Sequence, residues 1–262
     1  MAKTPQNIRI ALLIDSENIS PKYVKCIFDE LSNYGVVTIK KAYGDWSQSN
    51  RASWKAIIAE NALSAVQQFQ NTTKKNSSDS ALIIDAMDIL YSKQVEGFCI
   101  VSSDGDFTRL ITRIREDGKL VIGMGEKKSP KALINACDKF IYLDVAEDVT
   151  VPVANIDKKT QKKDIPKPAV KKPPQSLKES IGTEKIEALI KAVEETVTDG
   201  DEWANLADVG NRVSKIFPDF EPKNYGFKKL SDLIKEIGIF DIKVEVSSID
   251  DKSKIYSIKN QK

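Results

Sequence analysis

The sequence contains no histidine. That single absence removes Ser-His-Asp chemistry, imidazole general bases and histidine-ligated zinc. Cysteine is scarce as well. Cys26, Cys99 and Cys137 are odd in number and far apart, which fits reduced, buried thiols and gives no zinc spacing. No apolar run approaches the roughly 20 residues that span a bilayer. Met1 to Asn7 leads straight into a strand-like segment without a secretory apolar region, so a cytoplasmic protein is expected. There is no internal repeat. Gly123 and Gly125 lack the third glycine and the acidic partner of a dinucleotide loop. Whatever chemistry remains must use carboxylates, lysines, hydroxyls or a metal held by oxygen.

What is present is enough for a packed core. With 41% apolar residues in 262, the chain has room for one medium domain and one small one. The net charge of +2 is unevenly spread. Residues 1–150 carry 19 basic and 19 acidic side chains, residues 151–180 carry 8 and 3, and residues 181–262 carry 13 and 16. The basic excess therefore lies between the two ends. It could help hold a polyanion or simply be solvated lysine.

The stretch from Phe98 to Ile111 organises the rest. Phe98-Cys99-Ile100-Val101 reads as a buried strand. Ser102-Ser103-Asp104-Gly105-Asp106 interrupts it, and Phe107, Leu110, Ile111 and Ile114 then recur at helical spacing. In open α/β sheets, chemistry sits at the carboxyl ends of strands. Ile8–Ile14 is a second apolar run, suited to a central strand covered on both faces, and ends at Asp15-Ser16-Glu17-Asn18. Val36–Tyr43, Leu120–Met124 and Phe140–Leu143 are further strands. Between them, helices are expected from Pro21, over Arg51 to about Gln68, over Ala81–Tyr91 with Ser78 or Asp79 as its cap, and from Pro130 to Ala136. Alternation of this kind predicts a parallel sheet with helices on both faces.

Residues 151–182, with five prolines among lysines, read as a flexible linker. From residue 183 to 262 three helical patterns are followed by two alternating strands, Ile242–Val246 and Ile255–Ile258. That is a winged-helix arrangement. The first domain is then 1–150.

Acids gather at the proposed strand ends and helix starts: Asp15, Asp79, Asp104 and Asp106, with Asp85 about 240° further round the helix from Asp79. Crowded carboxylates repel unless a cation neutralises them. Mg²⁺ and Mn²⁺ prefer oxygen ligands and can activate water beside a phosphate without imidazole. Each acid also has a plainer reading, as a helix cap, a solvated acid or a core-bonded group. Asn18, Ser102 and Ser103 could orient a ligand or shape turns. Lys40, Lys41, Arg51, Lys74, Lys75, Arg109, Lys127, Lys128 and Lys131 could follow a nucleic-acid backbone, and Tyr43 and Trp46 could stack on bases.

Three motifs, Ile14-Asp15-Ser16-Glu17-Asn18, the Asp79…Asp85 helix and Val101-Ser102-Ser103-Asp104-Gly105-Asp106-Phe107, together resemble the NYN domain, a PIN-like nuclease family of the DUF88 branch. Trp203, Phe217-Pro218-Asp219-Phe220 and Asn224-Tyr225-Gly226-Phe227 resemble the OST-HTH/LOTUS winged-helix domain, a module associated with RNA and protein binding. The resemblance implies a strand order near 3-2-1-4-5 and a metal-dependent ribonuclease. Asp15, Asp79, Asp104 and Asp106 match the acidic cluster. The expectation is an RNA nuclease using Mg²⁺ or Mn²⁺, with the second domain recruiting single-stranded or structured RNA, or a protein partner, through a flexible tether. Two alternatives stay open: a non-catalytic RNA-binding adaptor, and a phosphohydrolase of small substrates.

Overall fold

Ile10–Ile14 offers no polar side chain to solvent, so it needs cover on both faces. In the computed structural model, which describes residues 8–48, 51–69, 77–150, 177–197, 202–246 and 254–261, these five residues are fully buried in strand β1 (Arg9–Asp15). Five more strands join it: β2 (Val36–Gly44), β3 (Ser64–Gln67), β4 (Gly97–Val101), β5 (Leu120–Gly125) and β6 (Lys139–Tyr142). Their order is β3-β2-β1-β4-β5-β6, and every neighbouring pair is parallel.

Side chains alternate along a strand, so β1 feeds two cores. Ile10, Leu12 and Ile14 pack with helices α1 (Val24–Leu31) and α2 (Ala52–Glu60), which contributes Trp54. Ala11 and Leu13 pack against α3 (Ser77–Ser92) and α4 (Thr108–Glu116), through Leu82, Ala86 and Ile111. Helices α5 (Lys131–Ala136) and α6 (Leu143–Thr150) flank β6 in sequence. The strand order reverses between β1 and β4, the kind of switch point where α/β sheets open a crevice. Ile14 pairs with Val101, so Asp15 and Ser102 leave the sheet side by side.

The helix expected over Arg51 to Gln68 is shorter. It stops at Glu60, and Asn61 and Ala62, the latter with φ of 52°, turn the chain into the edge strand β3. Helical spacing from Trp54 to Leu63 crosses that turn because Leu63 returns to the same core as Trp54. Helix α3 already includes Ser77, so Ser78 and Asp79 lie in its first turn and not ahead of it.

The second domain holds α7 (Leu177–Ile181), α8 (Thr183–Thr196), α9 (Leu206–Ile216) and α10 (Leu230–Ile237), with a three-stranded sheet. Its strands are β7 (Ala204–Asn205), β8 (Phe240–Val246) and β9 (Lys254–Asn260), in the order β7-β9-β8 and antiparallel. Leu189, Val193, Val209, Val213, Leu233 and Ile258 form its core. Ile181 of α7 is buried there too, so this packing begins within the span expected to be linker; the rest of that span, 151–176, lies outside the described residues. The domain sits against the open edge of β6, where the Phe140 amide donates to the Pro218 carbonyl at 2.8 Å. Among the described residues, no helix is long and apolar enough to cross a membrane.

Candidate active site

At the carboxyl end of β1, Asp15 is almost wholly buried and accepts four hydrogen bonds. Its Oδ1 accepts from the amides of Glu17 (3.1 Å) and Asn18 (3.3 Å). Its Oδ2 accepts from Asn18 Nδ2 and from Ser102 Oγ, both at 2.7 Å. A carboxylate offers about four lone-pair sites, so this one is saturated. It ties the β1 turn to the end of β4. Burial raises its pKa, and the bonds from Asn18 and Ser102 work against that rise. Ser102 Oγ also accepts from the Asp104 amide at 3.1 Å. A side chain at Gly125 would put its Cβ 2.7 Å from the Ser102 carbonyl, so glycine at the end of β5 lets this turn close.

Asp104 caps the single 3₁₀ turn Gly105–Phe107, its Oδ1 accepting from the Asp106 amide at 3.0 Å. Asp106 is exposed beside it. The third contributor is α3. Its Ser78 is buried and donates to Glu17 Oε1 at 2.9 Å, which draws the start of the helix onto the β1 turn. Asp79, the next residue, feels the result. Its carboxyl is pushed up from 3.8 to about 6, first by burial and then by the charges of Asp15, Asp104, Glu17 and Asp106. Acids from three distant segments therefore act on one another's charge.

The donor set is all oxygen and the charges acting on Asp79 are carboxylates, an environment that a hard divalent ion suits. By charge the residues fit such an ion. Among the described residues, however, no three acidic or cysteine side chains stand close enough together to chelate one as they are. Binding would require at least one carboxylate to move inward.

Other expected residues lie elsewhere. Asp85 faces β2, where its Oδ2 accepts from Lys41 Nζ at 2.7 Å and from Tyr43 Oη at 2.9 Å. The helical advance of six residues explains the separation from Asp79. Asp85, expected beside the acids, is thus engaged with β2; Lys41 stands in that ion pair, and the Tyr43 ring, expected to stack on a base, is fully buried. Trp46 is half-buried, its indole N–H on the Val66 carbonyl at 3.0 Å and its ring edge-on to Trp54. Ser103 holds the Glu126 amide at 2.9 Å and so shapes the end of β5. Lys40 covers the Phe28 ring, Lys128 pairs with Glu126, and Arg109 and Lys127 are exposed. Lys74 and Lys75 lie outside the described residues.

Two contributors, Glu17 and Ser78, were not foreseen as site residues, and Arg51 was expected only to follow a nucleic-acid backbone. Glu17 and Ser78 each sit within two residues of a predicted acid, and that adjacency was the available signal. Arg51 reaches back from the start of α2 to donate to the Ser16 carbonyl, and its Nε is buried without a partner among the described residues. Nothing in the sequence links positions 51 and 16.

Comparison with known proteins gives the same two-part division. Residues 9–144 match the NYN domain and residues 180–249 the OST-HTH/LOTUS domain. The uncharacterized protein MJ0482 of Methanocaldococcus jannaschii is 28% identical over 160 residues, which are 59% of this chain and 62% of that protein, so the chain spans about three fifths of its relative's length. A crystal structure of VPA0982 from Vibrio parahaemolyticus, a protein of unknown function, aligns with a TM-score of 0.46 at 22% identity, over 53% of this chain and 95% of that one. The solution structure of an uncharacterized protein from locus NE0665 of Nitrosomonas europaea aligns with a TM-score of 0.27 at 29% identity, over 39% and 92%.

Proposed function

The chain belongs to the NYN domain family, and from that premise we propose that it is a divalent-metal-dependent ribonuclease that hydrolyses RNA phosphodiester bonds and binds RNA with its OST-HTH/LOTUS domain. The observation that carries this reading is the Asp79 carboxyl, pushed up to about 6 by burial and by four neighbouring acids. Perturbed carboxyls at the switch point of an α/β sheet are characteristic of functional sites.

Asp79, Asp104 and Asp106 would hold Mg²⁺ or Mn²⁺, with Asp15 behind them. When bound, such an ion supplies charge to the phosphate and makes water a nucleophile near neutral pH. The chain's own work is positioning. Asp15, saturated by Asn18 and Ser102, fixes the β1 turn against β4 and keeps the Asp104 amide oriented through Ser102. Exposed Arg109, in the first turn of α4, and Lys127 would meet the RNA backbone.

The test is cleavage of mixed single-stranded and structured RNA in Mn²⁺, repeated with EDTA and with Asp104→Asn. Loss in both arms supports the reading. Undiminished cleavage in either overturns the metal mechanism. One observation favours a second reading, the RNA-binding adaptor: the acids are not preassembled into a chelating group. RNA binding without metal-dependent cleavage selects it.

A further inference from the structure

The sheet ends at β6 with backbone groups that a seventh strand would normally fill. The amides of Phe140 and Tyr142 face away from β5, since both are bonded by the second domain. Exposed edges of this kind invite pairing with other chains. Here the second domain occupies them. Pro218 accepts from the Phe140 amide at 2.8 Å. Asn224, only 4% exposed, then imitates a peptide unit: its Oδ1 accepts from the Tyr142 amide and its Nδ2 donates to the Phe140 carbonyl, both at 2.8 Å. The same Nδ2 also donates to the Asp219 carbonyl at 2.9 Å, which locks Asn224 to its own loop.

Charged contacts surround this plug. Tyr142 Oη donates to Asp219 Oδ2 at 3.0 Å, and Lys185 binds the same oxygen at 2.7 Å. Lys139 pairs with Glu221, and Lys223 with Glu30, whose side chain is nearly buried in α1. A swinging, tethered module would have no reason to satisfy the edge amides of the other domain. Buried amides demand partners, and undocking would leave Asn224 and the edge to water.

We infer that the OST-HTH/LOTUS domain is a fixed platform, seated on the β6 edge through Asn224, that presents its RNA to the acidic pocket in one orientation. The linker then joins the domains without setting their separation. The seating stands on contacts alone; its consequence for RNA rests on the ribonuclease reading proposed above.

Two measurements on the full chain separate those parts. Small-angle scattering of the wild type should give a radius of gyration of about 18–20 Å, as for one body of this length. Asn224→Ala and Lys223→Glu should move it toward about 25 Å, the value for two domains of these sizes moving apart. Lys223→Glu touches neither core and sets like charges against each other, so it carries the test if Asn224→Ala does not fold. A wild type already near 25 Å, or two folded variants that stay compact, overturns the seating. The second measurement is the cleavage pattern of a 5′-labelled 40-nucleotide single-stranded RNA. The wild type should cut within a narrow window that broadens at least threefold in the undocked variants. An equally broad window in the wild type overturns the platform role. Absence of any cleavage counts against the nuclease reading and against the delivery role built on it, while scattering still decides the seating.

Discussion

Asp79→Asn should make the protein more stable at neutral pH while removing its activity. The carboxyl rises from 3.8 to about 6 on folding, a little over two pKa units. At 1.36 kcal/mol per unit that is about 3 kcal/mol of unfavourable ionisation before screening. Asp79 is only half-buried, and solvent screening cuts the figure to about 1.5 kcal/mol. An acid in the first turn of a helix also gains about 0.5 kcal/mol from the dipole, which asparagine forgoes. A net gain of about 1 kcal/mol remains, or a rise in Tm of about 2–4 °C for a chain of this size.

The sign follows from the direction of the shift. A carboxyl whose folded pKa lies above its unfolded one favours the folded state when protonated. That contribution is complete below about pH 4 and is lost as pH climbs through 6. The advantage of Asp79→Asn should therefore be full at pH 7.5 and vanish near pH 4. Thermal melts of both proteins at those two values, in EDTA, read it directly. Mn²⁺ should then raise the Tm of the wild type at pH 7.5 more than that of the variant, because the wild type has the larger repulsion to relieve. A variant that is less stable than the wild type at pH 7.5, or equally altered at both pH values, refutes the reasoning. It would mean that Asp79 is not crowded by the other acids.

Two other substitutions separate site acids from structural ones. Asp85→Ala leaves the fully buried Tyr43 hydroxyl and Lys41 without their acceptor, and should cost about 2–3 kcal/mol in urea denaturation while sparing cleavage by the folded enzyme. Ser102→Ala removes a hydrogen bond to a buried carboxylate and the acceptor for the Asp104 amide. It should cost about 2 kcal/mol by the same measurement and lower kcat as well, because both consequences fall inside the pocket.

The central sheet was legible because β1 and β4 are fully apolar runs ended by polar turns, a pattern with few other uses. β3 was not. It is a four-residue edge strand whose Ser64 and Ala65 are exposed, and among the described residues it pairs only with β2, so burial imposes little pattern on it. The turn that creates it needs Ala62 at positive φ, where glycine or asparagine would have given a signal. Among the site residues, Asp15 and Asp104 could be read because strand ends are fixed by the strands. Asp85 and Tyr43 misled for the opposite reason. Their significance depends on what lies across from them on β2 and α3, which period and spacing along one element do not encode.

The acids of the pocket divide into two kinds, and the division explains how a stable fold carries a repulsive site. Asp15 has as much burial as any acid among the described residues, yet its charge is met by two backbone amides, an asparagine and a serine. Those donors are local to the turn or come from the adjacent strand, so the sheet that forms the core also forms them. Asp79 is instead pushed up by burial and by the charges of four neighbouring acids. It stands on a helix that Ser78 and Glu17 pull toward the turn. The fold thus satisfies the acid that anchors its central strands and leaves frustrated the one delivered by a peripheral helix. Frustration there costs about 1.5 kcal/mol, against a total stability of about 5–15 kcal/mol for a typical domain. A cation that relieves it gains that free energy on binding, so the strain is also a source of affinity.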